Sequence, residues 1–178
     1  MKKSNYLLVL LTSMLIVACG DPELRFEPLD QLEKGAFARN LSLEGEFELA
    51  DPAGSSIDAK VEFYDDDNGK NISSYNWTVE FRPALGTGVS GVAFLAIDES
   101  QFIINENGLP EVAFSLNMND AMMALGLSAM DLSLGDEFRF EATITKKDGA
   151  IFSSKNTGSN LISQTPFASL FRVAAKVK

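Results

Sequence analysis

The chain has no histidine and a single cysteine, Cys19, which removes most familiar catalytic chemistry. Without imidazole there is no Ser-His-Asp or Cys-His relay, and no zinc site that uses histidine. Carboxylates and hydroxyls remain. Glu44, Glu46 and Glu48 fall at i, i+2 and i+4. Glycoside hydrolysis needs two carboxylates facing each other across a cleft, ~5–9.5 Å apart. Three at period two share one strand face instead, where they keep it wet. Ser153-Ser154-Lys155 has the residue types of a Ser-Lys dyad but lies in a polar stretch beside a hairpin, and reads as a solvated edge. The acidic run Asp65-Asp66-Asp67-Asn68-Gly69 invites calcium. Aligning Gly69 with the glycine of an EF-hand loop puts Tyr64 and Tyr75 at the two end positions, where oxygen ligands belong. The run reads as a turn. No catalytic residue, metal ligand or cofactor is assigned.

Among the aromatics, Tyr75 and Trp77 share parity with Val79 and Phe81, so all four belong to one buried strand face. Tyr64 has the opposite parity to Ile57, Ala59, Val61 and Phe63. It is the one candidate for contact with a ligand. Met118, Met122, Met123 and Met130 cluster around a short helix, where methionine usually fills core gaps.

Residues 1–18 read as an export signal. Lys2 and Lys3 precede an apolar run over residues 6–17, interrupted at Thr12 and Ser13. The run is shorter than the ~20 residues a membrane span needs. It ends Leu15-Ile16-Val17-Ala18-Cys19-Gly20, which resembles the lipobox of bacterial lipoproteins. That resemblance implies that Cys19 is lipidated through its sulfur and becomes the first mature residue. Acyl chains anchor by burying methylenes at about 0.8 kcal/mol each. Residues 19–35, with Pro22, Pro28 and several acidic residues, read as a tether with a short helical lead-in around Leu29-Asp30-Gln31-Leu32. Residues 36–178 form the domain.

The net charge of −10 argues against nucleic acid, whose binding depends on Lys and Arg neutralising phosphate, and against charge-driven docking on anionic lipid. Thirteen phenylalanines in a chain that is 46% apolar supply a core without disulfides. Period-two alternation dominates from Ala36 onward. Phe37, Leu41, Leu43, Phe47 and Leu49 share one parity, with Gly45 as the expected site of a bulge. Ile57 to Phe63 and Tyr75 to Phe81 alternate on either side of the Asp65 turn and are expected to pair as a hairpin. Residues 92–97 are continuously apolar, as in a strand covered on both faces. Val112, Phe114, Leu116 and Met118 alternate next. A helix follows, with Asn119 as its expected N-cap and Gly126 as its stop. Phe138 to Ile144 form another strand, which Lys147-Asp148-Gly149 turns into a hairpin. Phe167, Phe171, Val173, Ala175 and Val177 close the chain on one parity. The pattern predicts an all-β protein. The first choice is an immunoglobulin-like antiparallel β-sandwich with one short helix, and the second a calycin-type β-barrel.

A lipobox, an acidic tether and one β-rich domain resemble small outer-membrane lipoproteins of Bacteroidota, encoded beside SusC-like TonB-dependent importers and SusD-like lid lipoproteins. The likeness spans residues 34–178. It is carried by Gly126-Leu127, Asp131-Leu132, Gly135-Asp136-Glu137-Phe138, Asp148-Gly149, Asn156 and Pro166-Phe167. It implies a non-catalytic immunoglobulin-like domain on the outer membrane, on the cell surface or the periplasmic face. Its implied role is accessory to capture or import of glycans or peptides, with the importer and its lid as partners. The alternative is a structural or assembly subunit with no small ligand.

Overall fold

A computed structural model describes residues 35–163 and 168–178, apart from the side chain of Asn160. The signal sequence, Cys19, the helical lead-in and Phe167 lie outside the described residues. Two antiparallel sheets form a sandwich that does not close into a barrel. The first contains β1 (Phe37–Glu46), β2 (Ser56–Tyr64), β6 (Pro110–Asn117) and β5 (Ile103–Ile104), in the order β1-β2-β6-β5. The second runs β4 (Val89–Asp98), β3 (Ile72–Arg82), β7 (Glu137–Lys146). The far side of β7 is shared by β8 (Ile151–Ser153) and β9 (Arg172–Lys176). The first, second and fifth long strands thus share one sheet and the third and sixth the other, as in immunoglobulin domains, with the fourth, β4, beside the third.

The Asp65 turn crosses between the sheets. β2 pairs with β1 and β6, while β3 pairs with β4 and β7, so the expected β2–β3 hairpin is corrected to an inter-sheet connection. Asp-Asn-Gly composition supplies the tight reversal in either case, with Asn68 and Gly69 both at positive φ (54° and 79°).

The alternation in β1 changes phase. Ala36 and Ala38 are buried and Phe37 lies on the outer face, opposite Tyr64. A register shift at Leu41, between Asn40 and Ser42, then sets Leu43 and Gly45 opposite the buried Ala59 and Ile57, ahead of buried Phe47, while Leu41 and Leu43 themselves stay 41% and 40% exposed. The bulge is therefore at Leu41, four residues before Gly45. Gly45 serves a different need: its φ is 101°, and a Cβ there would clash with the carbonyl oxygen of Ser56.

β4 is an edge strand, half-exposed, and not the doubly covered strand expected from its apolar run. A register shift between Leu95 and Ala93 leaves Phe94 without a partner on β3, and its ring reaches Phe140 at 5.2 Å. Consecutive apolar residues here follow from a bulge rather than from two covered faces.

The helix α1 (Met118–Leu125) packs along β3, β4 and β6. Met118, Ala121, Met122 and Leu125 are buried at the i, i+3, i+4, i+7 positions of one face. That stripe starts the helix at Met118, so Asn117 rather than Asn119 is the N-cap residue. Asn117 makes no side-chain cap, and the first amide, Met118 N–H, donates to Ser55 O (3.0 Å). Gly126 ends the helix at φ 70°. A shorter helix, α2 (Ser159–Ser163), precedes β9.

Rings meet edge to face through the core, where Phe47 contacts Phe138 (5.5 Å) and Phe140 (6.0 Å) and Tyr75 contacts Phe63 across the sheets (5.4 Å) and Trp77 along β3 (5.2 Å). Phe114 lies tilted against Trp77 at 5.5 Å. The Tyr75 hydroxyl donates to the Leu170 carbonyl, tying the segment before β9 to β3.

Two outcomes follow from this core. Replacing Phe138, fully buried between Phe47 and Phe81, by alanine should destabilise the domain by about 3–5 kcal/mol in urea unfolding. Burial raises the Tyr75 phenol well above its ordinary value of 10.0. The folded state therefore holds this proton when the unfolded state releases it. The Tyr75 contribution is complete below pH ~10 and falls as pH rises beyond it. Lys146 acts with the same sign: burial lowers its pKa, but the hydrogen bond it donates to Asp66 and nearby Asp charges leave it raised. Tyr75→Phe should accordingly flatten, without abolishing, the alkaline loss of stability measured by unfolding from pH 8 to 11.

Candidate functional site

Tyr64 sits at the end of β2 on the outer face of the first sheet, built into a network around Glu62. The backbone places Arg39 directly opposite Glu62, and Phe37 opposite Tyr64. Glu62 is only 2% exposed, so its charge needs partners. Oε1 forms an ion pair with the Arg39 guanidinium and accepts from the Tyr64 hydroxyl (2.7 Å), while Oε2 accepts from Asn105 Nδ2 (3.0 Å). Phe37 stacks on the Tyr64 ring at 5.0 Å and 6°, and the Arg39 guanidinium lies 5.5 Å from the ring centroid. Burial raises the phenol pKa, followed in effect by the hydrogen bond and charge of Glu62, against the opposing charge of Arg39. Tyr64 is therefore held in place by its neighbours rather than offered as an open stacking platform.

Asn105 extends the network into the β5–β6 turn. Its Oδ1 accepts from Asn107 N–H (2.9 Å) and Leu109 N–H (3.1 Å). Beside it lies a polar recess of ≈ 440 Å³, lined in part by Arg39, Lys60, Glu62, Glu106, Asn107 and Glu111. Lys60 pairs with Glu111 at 2.8 Å, so most of the charge here is neutralised by its neighbours. A shallower recess of ≈ 400 Å³ continues along the same face past Lys60 to Asp58, Ala113 and Ser115.

The other sequence candidates are occupied locally. Asp65 Oδ1 accepts from the amides of Asp67 (2.8 Å) and Gly69 (2.7 Å), and Oδ2 from Asn71 (3.1 Å). Asp66 pairs with Lys146 (3.2 Å). Among the described residues no group of three acidic, Cys or His side chains is placed to hold a metal ion. Glu44, Glu46 and Glu48 are exposed, and Glu46 pairs with Lys178. The Ser153 hydroxyl donates to Asn156 Oδ1 (3.3 Å) and accepts from Lys155 N–H (3.2 Å), closing a turn. Tyr75 and Trp77 are core residues, 0% and 1% exposed.

A second constellation, absent from the sequence reading, lies at the other end of the strands. β1 begins at Phe37 beside Tyr64, whereas β3 ends at Arg82 beside Glu137. The loop over residues 83–88 meets residues 133–136 at that end. Asp136, 2% exposed, accepts from Ala84 N–H (2.7 Å) and Ser133 N–H (2.7 Å). Its backbone carbonyl accepts from Val177 N–H (2.8 Å). A Cβ on Gly135 would lie 3.8 Å from Ala84 Cβ. One buried carboxylate thus fixes two loops whose tips are apolar and open to solvent: Leu85 is 92% exposed and Leu134 66%. The expectation that the methionines fill the core holds for Met118 and Met122. It is corrected for Met123 (65% exposed) and Met130 (94%), which lie off the buried stripe of α1 and beyond its end. The sequence signal for the loop anchor is Asp136 after a turn glycine, a residue type that accepts local amides.

Arg39→Met should leave Glu62 buried without its ion-pair partner and lower stability by about 1–3 kcal/mol. The Arg39→Met/Glu62→Gln double variant should recover part of that loss in a chemical-denaturation cycle. Comparison with known protein families finds no family that matches this chain, and no curated protein matches it.

Proposed function

We propose that this chain is a non-catalytic, lipid-anchored cell-envelope protein that works through contact with a protein partner at the outer membrane, accessory to glycan or peptide capture or import. Lipidation at Cys19 rests on the lipobox-like run Leu15-Ile16-Val17-Ala18-Cys19. Among the described residues, no helix is long and apolar enough to cross a membrane. The partner class rests on the resemblance to lipoproteins encoded beside SusC-like importers and SusD-like lids.

One observation carries the choice of partner over small ligand. Among the described residues the apolar side chains most open to solvent are Met130 and Leu85, and Leu85 stands with Leu134 on loops at the end of the strands opposite Gly35. Exposed apolar groups on rigid loops fit a protein surface. The candidate ligand face, by contrast, has its tyrosine stacked and its buried carboxylate saturated. Confining the domain to the membrane plane raises its effective concentration beside any importer there.

The test is immunoprecipitation of the full chain from gently solubilised outer membranes, with co-purifying proteins identified by mass spectrometry. A TonB-dependent importer and its lid should accompany the wild type and the Ile151→Asp control, and be lost with Leu85→Asp/Leu134→Asp. Cys19→Ser should move the protein out of the membrane fraction. Absence of an importer from the wild-type sample would overturn the reading.

A further inference from the structure

We propose that β4 is a self-association edge, through which two copies of this chain pair strand to strand about a two-fold axis. An edge strand displays unpaired N–H and C=O groups, and natural proteins blunt it with charge, proline, brevity or bulges; β4 has the bulges but, from Val89 to Ile97, none of the other three. The other edges here are charged or short. β1 carries Arg39, Glu44 and Glu46, β5 has two residues, β8 has three, and β9 carries Arg172 and Lys176. β4 has ten residues, without charge or proline from Val89 to Ile97. Among the described residues, the backbone of residues 90–97 is bonded only to β3. Its exposed side chains are Ser90, Gly91, Ala93 and Ala96, small enough to let a second strand approach.

Two further observations select a second copy over a foreign peptide. A net charge of −10 makes two copies repel over most of their surfaces, so an uncharged strip is where they can meet. A peptide added to an edge draws specificity from side-chain pockets along it, and the two recesses on the Tyr64 face have no β4 residue in their lining. A second copy needs no such pocket, because an isologous contact sets the same small side chains against each other. Large exposed apolar side chains flank the strip: Leu85 in the loop entering β4, and Met123 on α1, which packs against β4. Two register shifts relative to β3 leave residues 95–98 as the longest regular stretch. The pairing is therefore short and the dimer concentration-dependent.

Sedimentation equilibrium of the full chain in density-matched detergent, over a wide concentration range, tests this. The protein mass should rise toward twice the monomer value for the wild type. It should stay monomeric for Ala93→Lys/Ala96→Lys, two exposed positions where lysine leaves the core intact, as an unchanged unfolding transition would verify. Ile151→Lys/Ala174→Lys, exposed positions on the opposite side of the second sheet, should dimerise like the wild type. A wild type that is monomeric throughout overturns the proposal. So does a β4 variant that dimerises equally, or a control that loses dimerisation to the same extent.

Discussion

The antiparallel pairing of β3 with β7 holds the register on which the other elements depend. From Ser74↔Thr145 to Arg82↔Glu137 the two strands run without interruption. Tyr75, Trp77, Val79 and Phe81 therefore share a face with Phe138, Phe140, Ala142 and Ile144. Because side chains alternate strictly, a slip of one residue would turn all of them to solvent and bring Glu80, Arg139 and Glu141 inward. With the register set, this aromatic face needs an apolar partner, which β2, β6 and the end of β1 supply. α1 covers the flank between β6 and β4, and the residues around Phe47 and Val177 bridge the opposite flank.

Three covered charges hold connections to this frame. Glu62 joins β1, β2 and the β5–β6 turn through Arg39, Tyr64 and Asn105. Lys146, on β7, reaches Asp66 in the turn that crosses between the sheets. Asp136 ties residues 83–88 to the segment entering β7. Each of these groups is satisfied by hydrogen bonds, as burial of a charge demands. Each also links segments far apart in the chain, giving irregular backbone a fixed position that hydrophobic contact alone would not specify.

This division of labour bears on function. The end of the sandwich near Tyr64 is closed by its own stacking and ion pairs, and the central tryptophan is consumed by the core. Apolar surface is left on the Asp136-fixed loops, along β4, and at Ile103 and Ile104 on β5. These surfaces suit contact with protein better than capture of a small ligand, and the first two adjoin one another through the loop that carries Leu85.

Much of the architecture was legible in the residues. Period-two alternation located the strands, Gly126 marked the end of the helix, and Lys147-Asp148-Gly149 announced the β7–β8 hairpin, because each reports a local backbone requirement. The all-β class follows from the same local signals. Pairing was different. An Asp-Asn-Gly reversal permits both a hairpin and a crossing between sheets, and only the competition for aromatic burial selects the crossing. The phase change at Leu41, the edge position of β4 and the outward turn of Met123 and Met130 depend on neighbours absent from the local sequence. Tyr64 shows the limit most plainly. Its parity marked it as facing away from the core, but whether that face is open depends on Phe37, Arg39 and Glu62, which come together only when β1 and β2 pair. Local chemistry determined which segments extend, turn or coil, while long-range packing decided what each exposed or buried group meets, because those contacts join residues distant along the chain.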